Sequence, residues 1–248
     1  MKQFLFIMVL MLLVGCSANA TPGTPEDNAS IGDQTESENA SKENENESNQ
    51  EETQDLFDQY QPNPQVTDDR TLKKVGQSYE DEKGEATLKG YKDVNQTYKV
   101  GPIELTVKEM KWIHLRPDYS MIDYFHVLTH DEEFDFAKVF VEIKNTSSET
   151  VNFAPIALLK TSTGETMDWE KDIYLEELNG ELEGNSTKFG NLGFIINASE
   201  RDHGHGEEEE HEQDHQEKSL EWIEITTSDV FDENQKKIAD AQKIKIEF

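Results

Sequence analysis

The sequence predicts an all-β antiparallel sandwich carried behind a long polar lead. Three observations predict it. Beyond Thr71 apolar residues recur at every second position in short runs, the spacing of half-buried strands. Asn, Ser, Thr and Gly clusters punctuate those runs. No long apolar period of 3.6 lies between them, so the strands pack on one another rather than on crossover helices.

Taken in order, residues 84–91 supply a first strand. Ile103, Leu105 and Val107 then face one way, with Glu104, Thr106 and Lys108 facing the other. The apolar set moves to Met110 and Trp112, a change of phase that predicts a bulge near Lys108-Glu109. Val139, Val141 and Ile143 form the next strand, closed by the turn residues 145–149 before Val151 and Phe153 resume. Residues 156–161 follow, ended by Thr163-Gly164-Glu165. Leu192, Phe194 and Ile196 come after Gly184-Asn185-Ser186, then a run over 220–227. Ile244, Ile246 and Phe248 close the chain, with Lys243, Lys245 and Glu247 on the wet face. The chain holds one cysteine, Cys16, so no intrachain disulfide can pin the sheets, and Trp112, Trp169 and Trp222 are the expected large core fillers.

The lead has two parts. Lys2, an apolar run over 4–14 and small residues before Cys16 have the form of a secretory signal, expected over residues 1–15. At about a dozen residues the run is short of the roughly 20 that a spanning helix needs. From Cys16 to residue 70 the chain is mostly Asn, Glu, Ser, Gln and Thr, which cannot bury enough apolar surface to offset the entropy of ordering. That stretch is expected to be a disordered acidic tether of about 40 Å r.m.s. span. The folded domain is then expected over 71–248.

Net charge is −30, from 53 Asp plus Glu against 23 Lys plus Arg. Such a balance repels nucleic acid and anionic headgroups and disfavours both as direct partners, so no nucleic-acid partner is expected.

Leu13-Val14-Gly15-Cys16 resembles the lipobox of bacterial lipoproteins. The resemblance implies that the Cys16 thiol takes a diacylglyceryl group before cleavage, with palmitate-like chains holding the protein on the outer face of a Gram-positive-type cell membrane. Two acyl chains make a stable anchor where one is marginal.

A second resemblance rests on Tyr98-Lys99-Val100-Gly101-Pro102-Ile103-Glu104-Leu105-Thr106-Val107, on Val139-Phe140-Val141-Glu142-Ile143-Lys144-Asn145-Thr146-Ser147, and on the turns Gly164-Glu165 and Gly184-Asn185-Ser186. Over about 95–248 these resemble the immunoglobulin-like domain of unknown function found on many Gram-positive lipoproteins, a fold similar to a secreted mycobacterial immunoprotective antigen. The likeness implies an immunoglobulin-like sandwich with an extracytoplasmic binding role towards a protein, peptide or cell-wall ligand, and it carries over no catalytic residues. The chain departs from that pattern by insertions at about 115–136 and 200–217.

In the first insertion Asp118 can cap a helix start, and Met121, Ile122, Phe125 and Leu128 then share a face, which predicts a short helix closing one end of the sandwich. His126 and His130 lie four apart, a spacing compatible with a metal pair, but with no fixed third ligand the reading favours a surface or packing role. The second insertion holds His203, His205, Glu207, His211 and His215 among further carboxylates. Imidazole and carboxylate suit Zn2+ or another divalent cation, so this tract reads either as a solvated loop or as weak divalent-metal capture.

No Gly-x-Ser-x-Gly elbow, phosphate-cradling glycine loop or His-Glu-x-x-His occurs. Paired acids such as Asp131/Glu133 are expected by chance in so acidic a chain. The sequence reads as a binding module, not an enzyme.

Overall fold

The computed structural model describes residues 59–196 and 219–248. In chain order its strands are β1 (Ser78–Asp81), β2 (Gly84–Val100), β3 (Ile103–Pro117), β4 (Phe134–Asn145), β5 (Val151–Phe153), β6 (Leu158–Thr161), β7 (Thr166–Asp168), β8 (Gly180–Leu182), β9 (Thr187–Ile196), β10 (Trp222–Thr226), β11 (Val230–Asp232), β12 (Lys237–Ala239) and β13 (Lys243–Glu247). A 3-10 turn (Tyr119–Met121) and the one-turn helix α1 (Ile122–Phe125) lie between β3 and β4.

All pairings between these strands are antiparallel. One sheet has the order β1-β2-β3-β4-β9; facing it are two four-stranded sheets, β13-β10-β6-β7 and β12-β11-β5-β8. Between them sits the main core, in which Leu105, Val107, Met110, Val139, Val141, Leu192 and Phe194 meet Phe153, Leu159, Ile223, Ile225, Ile244 and Ile246. The all-β antiparallel sandwich expected from the alternation is therefore the fold.

The phase change read at Lys108-Glu109 is a bulge. Val107 pairs with Val141 and Glu109 with Phe140, which leaves Lys108 as the extra residue. The bulge keeps Val107, Met110 and Trp112 in the main core and sends Glu109, Lys111, Ile113 and Leu115 to the opposite face.

That opposite face is covered. A second apolar cluster joins Leu88, Ile113, Leu115, Phe134 and Phe136 of the sheet to Val66, Leu72, Phe125, Ile173 and Tyr174. The chain over 60–72 thus lies as a strap across the outer face of the five-stranded sheet. Asn63, Val66, Thr67 and Asp69, which composition assigns to the tether, are buried, so packing begins ahead of the expected boundary at 71. The physical reason is that a few spaced anchors hold the strap without any apolar run.

Trp112 is buried as expected, and Trp222 is half-buried with the Lys245 ammonium 4.8 Å from its ring. Trp169 corrects the expectation: it sits on the 3-10 turn Trp169–Lys171 and is 50% exposed. Asp118 does cap the first turn, accepting from the Ser120 amide at 3.0 Å. Among the described residues no helix is long and apolar enough to cross a membrane.

Candidate functional site

β3 ends at Pro117 and β4 begins at Phe134, so the connection 118–133 lies at one end of the sandwich. Its apolar residues divide into two sets. Phe125 is 1% exposed and stacks edge-on against Phe134 at 5.0 Å, while Met121, Tyr124 and Leu128 pack on the same cluster. The Tyr124 hydroxyl donates to the Ile173 carbonyl at 2.7 Å. These contacts fix the loop from the inside. Tyr119 and Val127, by contrast, are 88% and 80% exposed.

Against this loop lies a cavity of about 580 Å³, lined by Arg116, Pro117, Ile122, Asp131, Glu132 and Glu133. The volume is within the ~300–1,000 Å³ of ligand pockets. Arg116 is paired with Glu85 at 2.5 Å, so its charge is already matched on the neighbouring strand. No Lys or Arg occurs between Arg116 and Lys138.

Beside the cavity, His114 Nδ1 lies 2.8 Å from Asp135 Oδ1, and His114 Nε2 lies 3.7 Å from Glu133 Oε2. The hydrogen bond to Asp135 raises the His114 pKa against partial burial. The other Asp135 oxygen accepts from Trp112 Nε1 at 2.9 Å and Lys89 Nζ at 3.0 Å. Burial pushes that carboxyl upward, but His114 and Lys89 outweigh it and hold it low.

A second polar cluster lies beneath the strap. Lys138 Nζ contacts the two Asp69 carboxylate oxygens at 2.8 and 2.6 Å, and Lys111 Nζ contacts the Asp69 carbonyl and Oδ2, each at 2.8 Å. Glu109 adds Oε1 at 3.1 Å from Lys111 and Oε2 at 2.5 Å from Lys73. Burial would raise the Asp69 carboxyl, yet the charges of Lys111 and Lys138 hold it well below the usual range. Asn63 completes the strap's attachment: its Nδ2 donates to the Tyr174 carbonyl at 2.8 Å, and Lys83 Nζ donates to its carbonyl at 3.1 Å. Sequence reasoning missed this cluster. The available signal was Lys138 between Phe136 and Phe140, a cation inside an unbroken buried run.

Of the residues proposed from sequence, His126 and His130 are exposed with ring centroids 6.1 Å apart. Among the described residues no three His, Cys, Asp or Glu side chains gather as a metal site. Cys16 and the set His203, His205, Glu207, His211 and His215 lie outside the described residues. The chain leaves β9 at Ile196, which pairs with Asp135, the same end of the sheet that carries the 118–133 loop.

Fold and surface together define a β-sandwich protein with an open loop cavity at one end. The chain belongs to the family of the uncharacterized protein YdhF of Bacillus subtilis (strain 168), with which it is 60% identical across the full length of both. It is also 28% identical, over 70% of this chain and 71% of the other, to a prophage-derived uncharacterized lipoprotein, YonS, of the same organism. No family model matches. A crystal structure of a functionally unknown Listeria monocytogenes EGD-e protein aligns with 66% of this chain and 87% of its own, at a TM-score of 0.43 and 13% identity.

Proposed function

We propose that the protein is a lipid-anchored, extracytoplasmic surface module that binds a protein, peptide or wall component through the end of its sandwich. The observation that carries the anchor is the position of the only cysteine, directly after Leu13-Val14-Gly15. The similarity to a chain named as a lipoprotein supports it. Nothing in the reading calls for a catalytic step. The test is expression of the full chain in a Gram-positive host fed labelled palmitate, beside Cys16→Ser. Label in the membrane fraction of the parent and none in the variant is expected; unlabelled parent protein in the cytosol would overturn the anchor and the location together.

A second reading, divalent-metal capture, is favoured by the density of histidine over 203–215. Zinc titration of the purified chain should then show binding that disappears on deleting 203–215. Unchanged binding in the deletion would remove it.

A further inference from the structure

From the 118–133 loop we infer the chemical class of the partner, an inference that rests on the binding-module reading above: the loop docks a cationic segment of another protein, in which Lys or Arg side chains alternate with an apolar one. Three observations converge on it. The first is the division of the loop's apolar residues. Phe125, Tyr124, Met121 and Leu128 anchor it to the second cluster, so its shape needs nothing from Tyr119 or Val127, which stand 88% and 80% exposed. A loop anchored without them leaves these two side chains available to a partner.

The second observation is the cavity. Its lining combines the apolar Pro117 and Ile122 with three carboxylates, Asp131, Glu132 and Glu133, and one cation, Arg116. A lining that mixes apolar surface with an excess of carboxylates accepts a side chain that is apolar along its stem and cationic at its tip. The third is the local charge. Arg116 is matched by Glu85, and the loop itself contains no Lys or Arg. An incoming cation therefore meets one guanidinium at the cavity, that of Arg116 paired with Glu85, and gains from three carboxylates, Asp131, Glu132 and Glu133. The loop is also held at both ends, at Asp118 by its capping turn and at Phe134 by β4, so little ordering is needed on binding.

The whole chain is acidic, so the experiment must separate this loop from general attraction. The probe is a short amidated peptide alternating lysine with leucine, and its glutamate-leucine counterpart is the sign control. Binding to the full chain is followed by calorimetry at low and at physiological salt. Glu132→Gln with Glu133→Gln removes lining charge, and Tyr119→Ser with Val127→Ser removes the exposed apolar pair. Glu181→Gln with Glu183→Gln removes equal charge at the opposite end of the sandwich, where both residues are exposed. The lysine peptide is expected to bind the parent, and each loop variant to bind about tenfold more weakly, while the distant variant keeps the parent affinity. Equal weakening by the distant pair, or no change in the loop variants, would overturn the inference. So would failure of the parent to bind the lysine peptide at all. Circular dichroism of each variant excludes loss of fold as the cause. Labelling at Cys16 is read separately, so a null peptide result on an acylated chain rejects the partner class and leaves the anchor standing.

Discussion

Lys111 and Lys138 stand directly opposite one another on neighbouring strands, each no more than 1% exposed, and both ammoniums close on the single carboxylate of Asp69. Like charges paired across strands are unfavourable, and burial makes them more so. The pair persists because the strap brings Asp69 over it and β3 brings Glu109 beside it, so that the strap and the sheet each complete the other's charge. This explains why residues 60–72 pack on the sheet with little apolar content of their own.

Removing Asp69 should therefore be costly. Asp69→Ala leaves the two buried lysines with Glu109 as their one shared carboxylate and is expected to lower stability by about 3–5 kcal/mol in urea unfolding. Replacing the buried set with apolar residues, Asp69→Leu, Glu109→Leu, Lys111→Met and Lys138→Met, should recover most of that loss, because the one cation of the cluster that remains, Lys73, has a side chain 40% exposed and can turn to water. A cost below about 1 kcal/mol for Asp69→Ala would show that the strap is held by Val66 and Leu72 instead.

The same cluster shows where sequence reading stops. Alternation at Ile103, Leu105 and Val107 was legible, and so was the bulge, because one buried face imposes a period of two and an extra residue breaks its phase. Lys111 carried no such signal. A charged residue on the far side of a strand looks the same whether it faces water or an outer layer that supplies a carboxylate. The strap itself was hidden because its anchors, Asn63, Val66, Asp69 and Leu72, are scattered among polar neighbours, and burial there follows from specific hydrogen bonds and ion pairs. Trp169 failed for a related reason: size favours burial, but the residue falls on a 3-10 turn that points half of it to solvent. In the 118–133 loop Asp118 and the apolar spacing announced the helix, whereas the cavity, lined in part by Arg116 and Pro117, depends on how β3 ends and could not be read.

Acid response should separate two kinds of buried carboxylate. Asp69 and Glu109 have depressed pKa values, opposed by burial and set by lysine charge, so their stabilisation is present above the unfolded value near 4 and is lost as pH falls through the folded values. Asp172 behaves oppositely. Burial pushes its carboxyl up to about 6 despite backbone donors that include the Gly193 amide at 2.8 Å. Between about pH 4 and 6 the folded chain then holds a proton that the unfolded chain lacks, so this group's contribution falls as pH rises. Asp172→Asn keeps an acceptor oxygen without the charge. Relative to the parent it should gain about 3 kcal/mol between pH 4 and pH 7.5 in urea unfolding. A parent-to-variant difference that stays constant across that range would refute the assignment.

Gly84, the first residue of β2, should govern the strand end that lines the cavity, since it pairs with Pro117. Its φ is +141°, outside the range that side chains ordinarily tolerate, and an added Cβ would lie 2.3 Å from the Arg116 carbonyl oxygen and 2.8 Å from Pro117 Cα. Those are backbone atoms of the strand end from which the 118–133 loop departs, so no side-chain rotation can relieve the contact. Gly164 provides the control, since its φ is +106° but nothing lies within 4 Å of the added carbon. Gly164→Ala should then cost about 1–2 kcal/mol from conformation alone, while Gly84→Ala should cost about 2–4 kcal/mol and also shift the amide resonances of 116–122. If the lysine-leucine peptide binds at this end of the sandwich, Gly84→Ala should weaken it and Gly164→Ala should not. Equal losses of stability in the two variants would show that φ, and not the close approach to Arg116, is what requires glycine at position 84.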